Sequence, residues 1–134
     1  MKRTYHGSCH CGAVAYEADI DLAEGTYKCN CSICTKHRLW QAVVRPEEFR
    51  LLKGEHELTD YRFGSRRGLH KFCRTCGIHV FGWYDGELPG GRNHVVRVMT
   101  LDDIDISELV SAPKTFTNGR DDDWEHPPAE TRHL

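Results

Sequence analysis

The sequence has 134 residues, of which 39% are hydrophobic, and its formal net charge is −2 with a pI of about 6.5. This length suits one domain with a single core. The balanced charge gives no general attraction for nucleic acid or for an anionic membrane, so neither is an expected partner. No apolar run is long enough to cross a membrane, and the N-terminal stretch MKRTYHGSC lacks the apolar segment of a signal peptide. A cytoplasmic protein is therefore expected.

Short segments rich in aromatic and β-branched residues alternate with glycines, a pattern typical of strands and tight turns. The predicted strands are AVAYEAD (13–19), LWQAVV (39–44), HVFGWY (79–84) and HVVRVM (94–99). The glycine-rich stretch DGELPGGRN (85–93) predicts a turn between the last two of them. The sequence therefore predicts a mainly β domain built from small sheets.

Helix signals are weak. The stretch RPEEFRLLKG (45–54) fits one helical turn that begins at Pro46 and ends at Gly54. The stretch DDIDISELV (102–110) predicts a second short helix. Both are too short to form a helical layer, so the fold class stays mainly β.

The C-terminal stretch differs in composition from the rest of the chain. Residues 117–134 are polar and include two successive prolines, which predicts a loosely packed tail after a domain spanning 1–116. Trp124 is the large apolar residue that could anchor the beginning of this tail.

Seven cysteines are many for a domain of this size, and their odd number prevents complete pairing into disulfides. A reducing compartment disfavours disulfides in any case. The cysteines fall into three groups, C-H-C (9–11), C-N-C-S-I-C (29–34) and C-R-T-C-G (73–77). Metal binding is the first hypothesis for such spacing.

The C-R-T-C-G group carries the strongest signal. A C-x-x-C-G turn lets Cys73 and Cys76 reach one Zn²⁺, and Gly77 can adopt the positive φ that closes the turn. The alternative is a thioredoxin-like redox pair, which needs a βαβ context. Here LHKF before the group and IHVFGW after it are both typical of strands, so metal binding is favoured.

This pair needs two further ligands, and both other groups could supply them. In the simplest division Cys9 and Cys11 join Cys73 and Cys76, which closes a four-cysteine site with no free position. Such a site is structural, because it ties distant parts of a small domain together and bound zinc contributes folding free energy.

The remaining three cysteines are Cys29, Cys31 and Cys34. Three protein ligands with one open position are typical of catalytic zinc. The alternative is that a histidine closes the site, with His37, His10 and His79 as the candidates. The sequence leaves this choice open.

In order, the C-x-C, C-x-C-x-x-C and FGSRRGLHKFCRTCG stretches resemble the glutathione-dependent formaldehyde-activating enzyme family, which also includes centromere protein V. The resemblance covers roughly residues 5–100 and all seven cysteines. It implies a β-tent fold and two zinc ions, with the same four-cysteine and three-cysteine ligand sets. It also implies a reaction of glutathione with formaldehyde to S-hydroxymethylglutathione, which in reverse is a carbon–sulfur lyase reaction.

The ligand set favours thiol chemistry. Zn²⁺ with three thiolates carries a net charge of −1, so it is a weak Lewis acid for water but a good partner for a soft substrate thiolate. His37 or His79 could donate the proton that the developing alkoxide needs. The ligand set thus favours a small thiol as substrate, and the resemblance implies that the thiol is glutathione and that the second substrate is an aldehyde.

A different class of function also fits two zinc sites. They could hold a β scaffold that binds a protein or nucleic acid, and GSRRGLHK (64–71) is a local basic patch. An open zinc position separates the two hypotheses, because an enzyme requires it and a binding module does not.

Overall fold

The computed structural model describes residues 1–85 and 93–134. Within these residues the strands are β1 (Arg3–Ser8), β2 (Ala15–Ile20), β3 (Thr26–Cys29), β4 (Gln41–Val44), β5 (Phe49–Lys53), β6 (Leu58–Tyr61), β7 (Gly68–Cys73), β8 (His79–Tyr84), β9 (Asn93–Arg97) and β10 (Lys114–Thr117). The α-helices are α1 (Ser32–His37) and α2 (Ile106–Ser111). The predicted mainly β class is confirmed, whereas the β-tent arrangement stays a prediction.

The strands form two sheets. One has the order β1-β2-β5 and is antiparallel. The other has the order β10-β3-β4-β9-β8-β7-β6, in which only the β10–β3 pair is parallel. This order brings the ends of β3 and β10 together and sets β9 between β4 and β8, which decides where the candidate site forms.

The smaller sheet follows the alternation of its sequence. On β2, Tyr16 and Ala18 are fully buried, whereas Glu17 and Asp19 face outward and bind the guanidinium of Arg50 on β5. The Tyr16 ring stacks on Phe49, with 5.3 Å between ring centroids, and both pack on Phe81 of the larger sheet. The core therefore lies between the two sheets.

The four predicted strand segments correspond to β2, β4, β8 and β9. The predicted helical turn over 45–54 is wrong after its first three residues. Pro46–Glu48 forms a 3₁₀ turn, but Phe49–Lys53 is a strand because its backbone pairs with β2. Gly54 ends that strand with a φ of 92°, where a Cβ would stand 2.3 Å from the carbonyl oxygen of Ala13.

The second predicted helix is present as α2, whose N-terminus is capped by the carboxylate of Asp105. Most of the turn predicted over 85–93 lies outside the described residues, which resume at Asn93. None of the helices that the structure describes is long and apolar enough to cross a membrane.

The C-terminal segment starts within β10, a strand of the larger sheet. The predicted boundary between 116 and 117 falls within β10, and the division into domain and tail stays a prediction. Trp124 is 55% exposed, and its indole N–H donates to the carboxylate of Asp122. Residues 118–120 lie against the three-cysteine group, as the next subsection describes.

Candidate functional site

The structure brings together the four cysteines that the sequence grouped. Cys9 follows β1 and Cys73 ends β7, and the sulfurs of Cys9, Cys11, Cys73 and Cys76 all lie within 4.8 Å of one another. The predicted positive φ of Gly77 is confirmed at 78°. Its N–H donates to the carbonyl of Cys73 and closes the turn.

The sulfur spacing fits a tetrahedral metal. Cys9 Sγ and Cys11 Sγ are 3.6 Å apart, as are Cys11 Sγ and Cys73 Sγ. These distances are too long for disulfides. Four sulfurs around zinc at about 2.3 Å would be separated by about 3.8 Å, close to what is found. The four-cysteine group could therefore hold a metal ion.

The second group forms where β3 passes into α1. Cys29 is the last residue of β3, Cys31 is the N-cap of α1 and Cys34 lies within the helix. Their sulfurs also lie within 4.8 Å of one another. Among the residues that the structure describes, no histidine, aspartate or glutamate joins this group of three.

Two N–H groups donate to these sulfurs, as expected for thiolates that bind a metal. The backbone N–H of Cys31 lies 3.4 Å from Cys29 Sγ, and the side-chain amide nitrogen of Gln41 lies 3.6 Å from Cys34 Sγ. Hydrogen bonding with Cys29 and Cys31, followed by burial, raises the pKa of the Cys34 thiol. The donor set of three sulfurs fits a soft metal ion such as zinc.

The C-terminal end of the larger sheet covers this group. Thr117 of β10 is aligned with Cys29 of β3, and its carbonyl accepts from the N–H of Asn30. The Asn30 side chain donates to Asn118 Oδ1 at 2.8 Å and accepts from the backbone N–H of Arg120 at 3.0 Å. The loop between Cys29 and Cys31 is thus fixed by residues that the sequence assigned to a loose tail.

A buried arginine lies behind the three-cysteine group. Arg97 ends β9 and is 5% exposed. One of its terminal nitrogens donates to Gln41 Oε1, and the other lies 2.8 Å from His79 Nε2. No carboxylate in the described parts of the chain forms an ion pair with it. Burial lowers the pKa of Arg97 to about 10, so it remains a cation at neutral pH.

The two histidines named from the sequence lie side by side, with 5.3 Å between ring centroids. His79 is buried, and burial followed by the charge of Arg97 lowers its pKa far below the ordinary value. A guanidinium has no acceptor, so His79 Nε2 accepts and the neutral ring carries its proton on Nδ1. His37 is exposed, and burial of part of its ring followed by Arg97 lowers its pKa as well.

Both histidines border a cavity of about 510 Å³. Other residues that line it include Arg38, Leu39, Trp40, Arg97 and Met99. The lining includes Cys9 of the four-cysteine group and no cysteine of the three-cysteine group, but Leu39 also packs against Cys29 and Cys34 and so separates the cavity from the three-cysteine group. A volume of this size is typical of a small-molecule site.

Several site residues were not identified from the sequence. From the sequence alone, Arg97 and Gln41 are predicted only as parts of strands, and Asn30 has no predicted role between its neighbouring cysteines. A charged residue within the apolar run HVVRVM is a usable signal, because a cation on a buried strand requires a partner. Nothing local in the sequence shows that residues 118–120 fold back onto Asn30.

The fold and the site define a mainly β protein with two cysteine groups that could hold metal ions. The family model described as "Glutathione-dependent formaldehyde-activating enzyme" matches residues 4–118. The chain belongs to this family, and membership indicates an enzyme of the glutathione-dependent formaldehyde-activating type. The structure is also similar to the crystal structure of a Rhodobacter sphaeroides protein, with 32% identity and a TM-score of 0.69, over 82% of this chain and 99% of that one.

Proposed function

We propose that this chain is a zinc-dependent enzyme of the carbon–sulfur lyase type that acts on the adduct of a thiol and an aldehyde. By family, the thiol is glutathione, the aldehyde is formaldehyde and the adduct is S-hydroxymethylglutathione. The cofactors in this proposal are two zinc ions per chain, one at each cysteine group. A cytoplasmic location stays a prediction.

One observation carries the proposal. Cys29, Cys31 and Cys34 form a group of three potential ligands, and the described residues supply no fourth. The group shares the wall of Leu39 with a cavity large enough for a small thiol. Three ligands beside a cavity are the arrangement that an exchangeable ligand needs.

The four-cysteine group has a different proposed role. Cys9 and Cys73 are buried, and the group joins the end of β1 in one sheet to the end of β7 in the other. Four thiolates leave no position for a substrate, so we assign zinc there to stability.

The reaction requires few groups. Zinc held by Cys29, Cys31 and Cys34 would favour the thiolate form of a bound substrate thiol. The sulfur forms a bond to the carbonyl carbon as the C=O π electrons move onto oxygen. The resulting alkoxide oxygen takes up one proton, which balances the proton released by the thiol. His37 is exposed at the cavity and is proposed to carry this proton between substrate and solvent. His79 is proposed to orient the cavity wall through its contact with Arg97.

Cobalt substitution tests the central claim, because its visible absorption reports a change of ligand. In protein with Co²⁺ at the three-cysteine group, glutathione should change the spectrum, and the change should be absent in Cys34→Ser. Cysteine and a simple alkyl thiol, compared at the same pH, show whether the site prefers glutathione. Exchange between free glutathione and its formaldehyde adduct, followed by NMR, should be faster with wild-type protein than with Cys34→Ser.

A spectrum that no thiol alters, at a site shown to contain cobalt, would mean that the fourth position is closed. The enzyme proposal would then be withdrawn in favour of a zinc-stabilised binding module for a protein or nucleic acid. Equal responses to all three thiols would retain the open site but remove glutathione as the specific substrate.

A further inference from the structure

Arg97 presents an unusual balance of charge. It is a cation, is 5% exposed, and forms no ion pair with a carboxylate of the residues described. Transferring such a charge from water is costly unless negative charge lies nearby. Its hydrogen-bond partners, Gln41 and His79, are both neutral and do not supply it.

Cys34 and Cys31 of the three-cysteine group are among the groups that interact electrostatically with Arg97. Gln41 and Arg97 are direct partners across the β4–β9 pair. The carbonyl oxygen of Gln41 accepts from the guanidinium, so its amide nitrogen is the end that lies 3.6 Å from Cys34 Sγ. A terminal amide in this orientation offers a donor to the sulfur, which favours a thiolate over a thiol.

The position of Arg97 is fixed from its other side. His79 Nε2 accepts from the second terminal nitrogen at 2.8 Å. Gly82 on β8 lies beside it: a Cβ there would be in ordinary contact with the same nitrogen at 3.5 Å, although it would clash with the carbonyl oxygen of Leu69 at 2.3 Å. The guanidinium is therefore held between β4 and β8 and directed through Gln41 toward Cys34.

Other cations near the group are less suited to this role. Lys36 lies on α1 but is exposed, so solvent screens its charge. The Lys28 ammonium lies over the Trp40 ring, 5.1 Å from its centroid. Among the residues that the structure describes, Arg97 is the cation that is both buried and connected by a hydrogen-bonded side chain to a sulfur of the group.

We infer that Arg97, acting through Gln41, is the positioning residue that allows the three-cysteine group to hold its metal and to accept an anionic thiolate as fourth ligand. This inference rests on the proposed function for the identity of that ligand. Zn²⁺ with three thiolates carries −1, and a fourth thiolate brings it to −2. The buried charge of Arg97 offsets one of these, and the Gln41 amide donates to Cys34 in either state.

The test compares Arg97→Met, Gln41→Leu and a control, Lys36→Met, which removes an exposed positive charge two residues from Cys34. Each protein is loaded with Co²⁺, and two quantities are measured. One is the rate at which the three-cysteine group loses its metal to a chelator, and the other is the Kd for glutathione. In Arg97→Met and in Gln41→Leu, the rate of metal loss and the Kd for glutathione should each increase by about tenfold or more. In Lys36→Met, both should change by less than about threefold.

The four-cysteine metal reports folding in the same samples. If Arg97→Met loses that metal too, the protein has unfolded, and Gln41→Leu alone decides the matter. Normal metal retention in Gln41→Leu, or an Arg97→Met protein that matches Lys36→Met, would overturn the inference. The double variant should lose its metal no faster, and bind glutathione no less tightly, than Arg97→Met, because the two side chains act as one unit. Additive effects of the two substitutions would also overturn the inference.

The two proposals can fail separately. If wild-type protein holds its metals but binds no thiol, the proposed function fails. Faster metal loss from the three-cysteine group in Arg97→Met and Gln41→Leu would still support the role of Arg97, and unchanged loss would overturn it.

Discussion

Gly119 lies directly against Cys29. A Cβ added to Gly119 would stand 2.7 Å from Cys29 Sγ and 2.7 Å from the Trp124 ring, which is closer than real Cβ contacts allow. The glycine thus lets the chain after β10 pass over the three-cysteine group without displacing a sulfur. The C-terminal segment therefore shapes the candidate metal site.

Gly119→Ala should weaken the three-cysteine site. Either Cys29 or the Trp124 segment must move, so this group should lose its metal to a chelator faster, by about tenfold, while the four-cysteine metal is retained. Gly68→Ala is the matched control, since a Cβ there would meet only ordinary contacts at 3.6 and 3.8 Å. Equal metal loss in the two variants would mean that the segment does not constrain Cys29.

Asn118→Ala removes the acceptor of the Asn30 side chain. One lost hydrogen bond costs about 1 kcal/mol, and Asn30 is buried, so the loop between Cys29 and Cys31 should become more mobile. We expect faster hydrogen exchange at residues 29–31, measured by mass spectrometry, with no change at β7. Unchanged exchange at residues 29–31 would show that the backbone bond from Asn30 to Thr117 is sufficient.

The residues that the sequence identified well are those whose chemistry is local. C-x-x-C-G defines its own turn, so the grouping of Cys73, Cys76 and Gly77 needed no tertiary information. The division of the other cysteines followed from counting ligands, and the structure places them in the same two groups. Strands with clear alternation, such as β2, were also predictable.

The parts that were missed depend on contacts between distant residues. Phe49–Lys53 has no strong local preference and becomes a strand because β2 offers an edge. Arg97 meets Gln41 and His79 only when β9 lies between β4 and β8. The polar segment after β10 is ordered by Asn30, about ninety residues earlier. Neither the hydrophobic pattern of the sequence nor its secondary-structure propensities indicate any of these pairings.

Metal content tests the division of the cysteines. Native mass spectrometry at neutral pH should show two zinc ions per chain, since four and three thiolates form separate groups. Mild chelation should remove one ion first, from the group with three ligands. A folded and active protein without metal would contradict the whole assignment.

The two cysteine groups should respond differently to substitution. Cys73→Ser removes a buried ligand from the site that joins the two sheets, so it should unfold or aggregate the protein. Cys34→Ser should leave a folded protein with an impaired three-cysteine group. Thermal melts compare them, and equal melting temperatures for the two variants would show that the assigned roles are wrong.

The histidines beside Arg97 predict a pH dependence. Burial, and then the charges of Arg97 and His37, lower the pKa of His70 to about 4, whereas an unfolded histidine has a pKa near its ordinary value of 6.5. Between about pH 6.5 and 4 the unfolded chain therefore binds a proton that folded His70 does not. The free energy of unfolding is therefore not reduced by His70 above this pH window, and it decreases as the pH falls through the window.

NMR of the histidine ring protons in the metal-loaded protein measures this directly. The His70 resonance should stay constant from pH 8 to about 5. His6 provides the opposite case, because its hydrogen bond to Asp103 raises its pKa, so it should begin to titrate at higher pH. In His70→Phe, which keeps a ring in contact with Phe63, stability should decline less between pH 6.5 and 5 than in wild type. A His70 that titrates near 6.5 would mean that neither its burial nor the charge of Arg97 lowers its pKa as the structure requires.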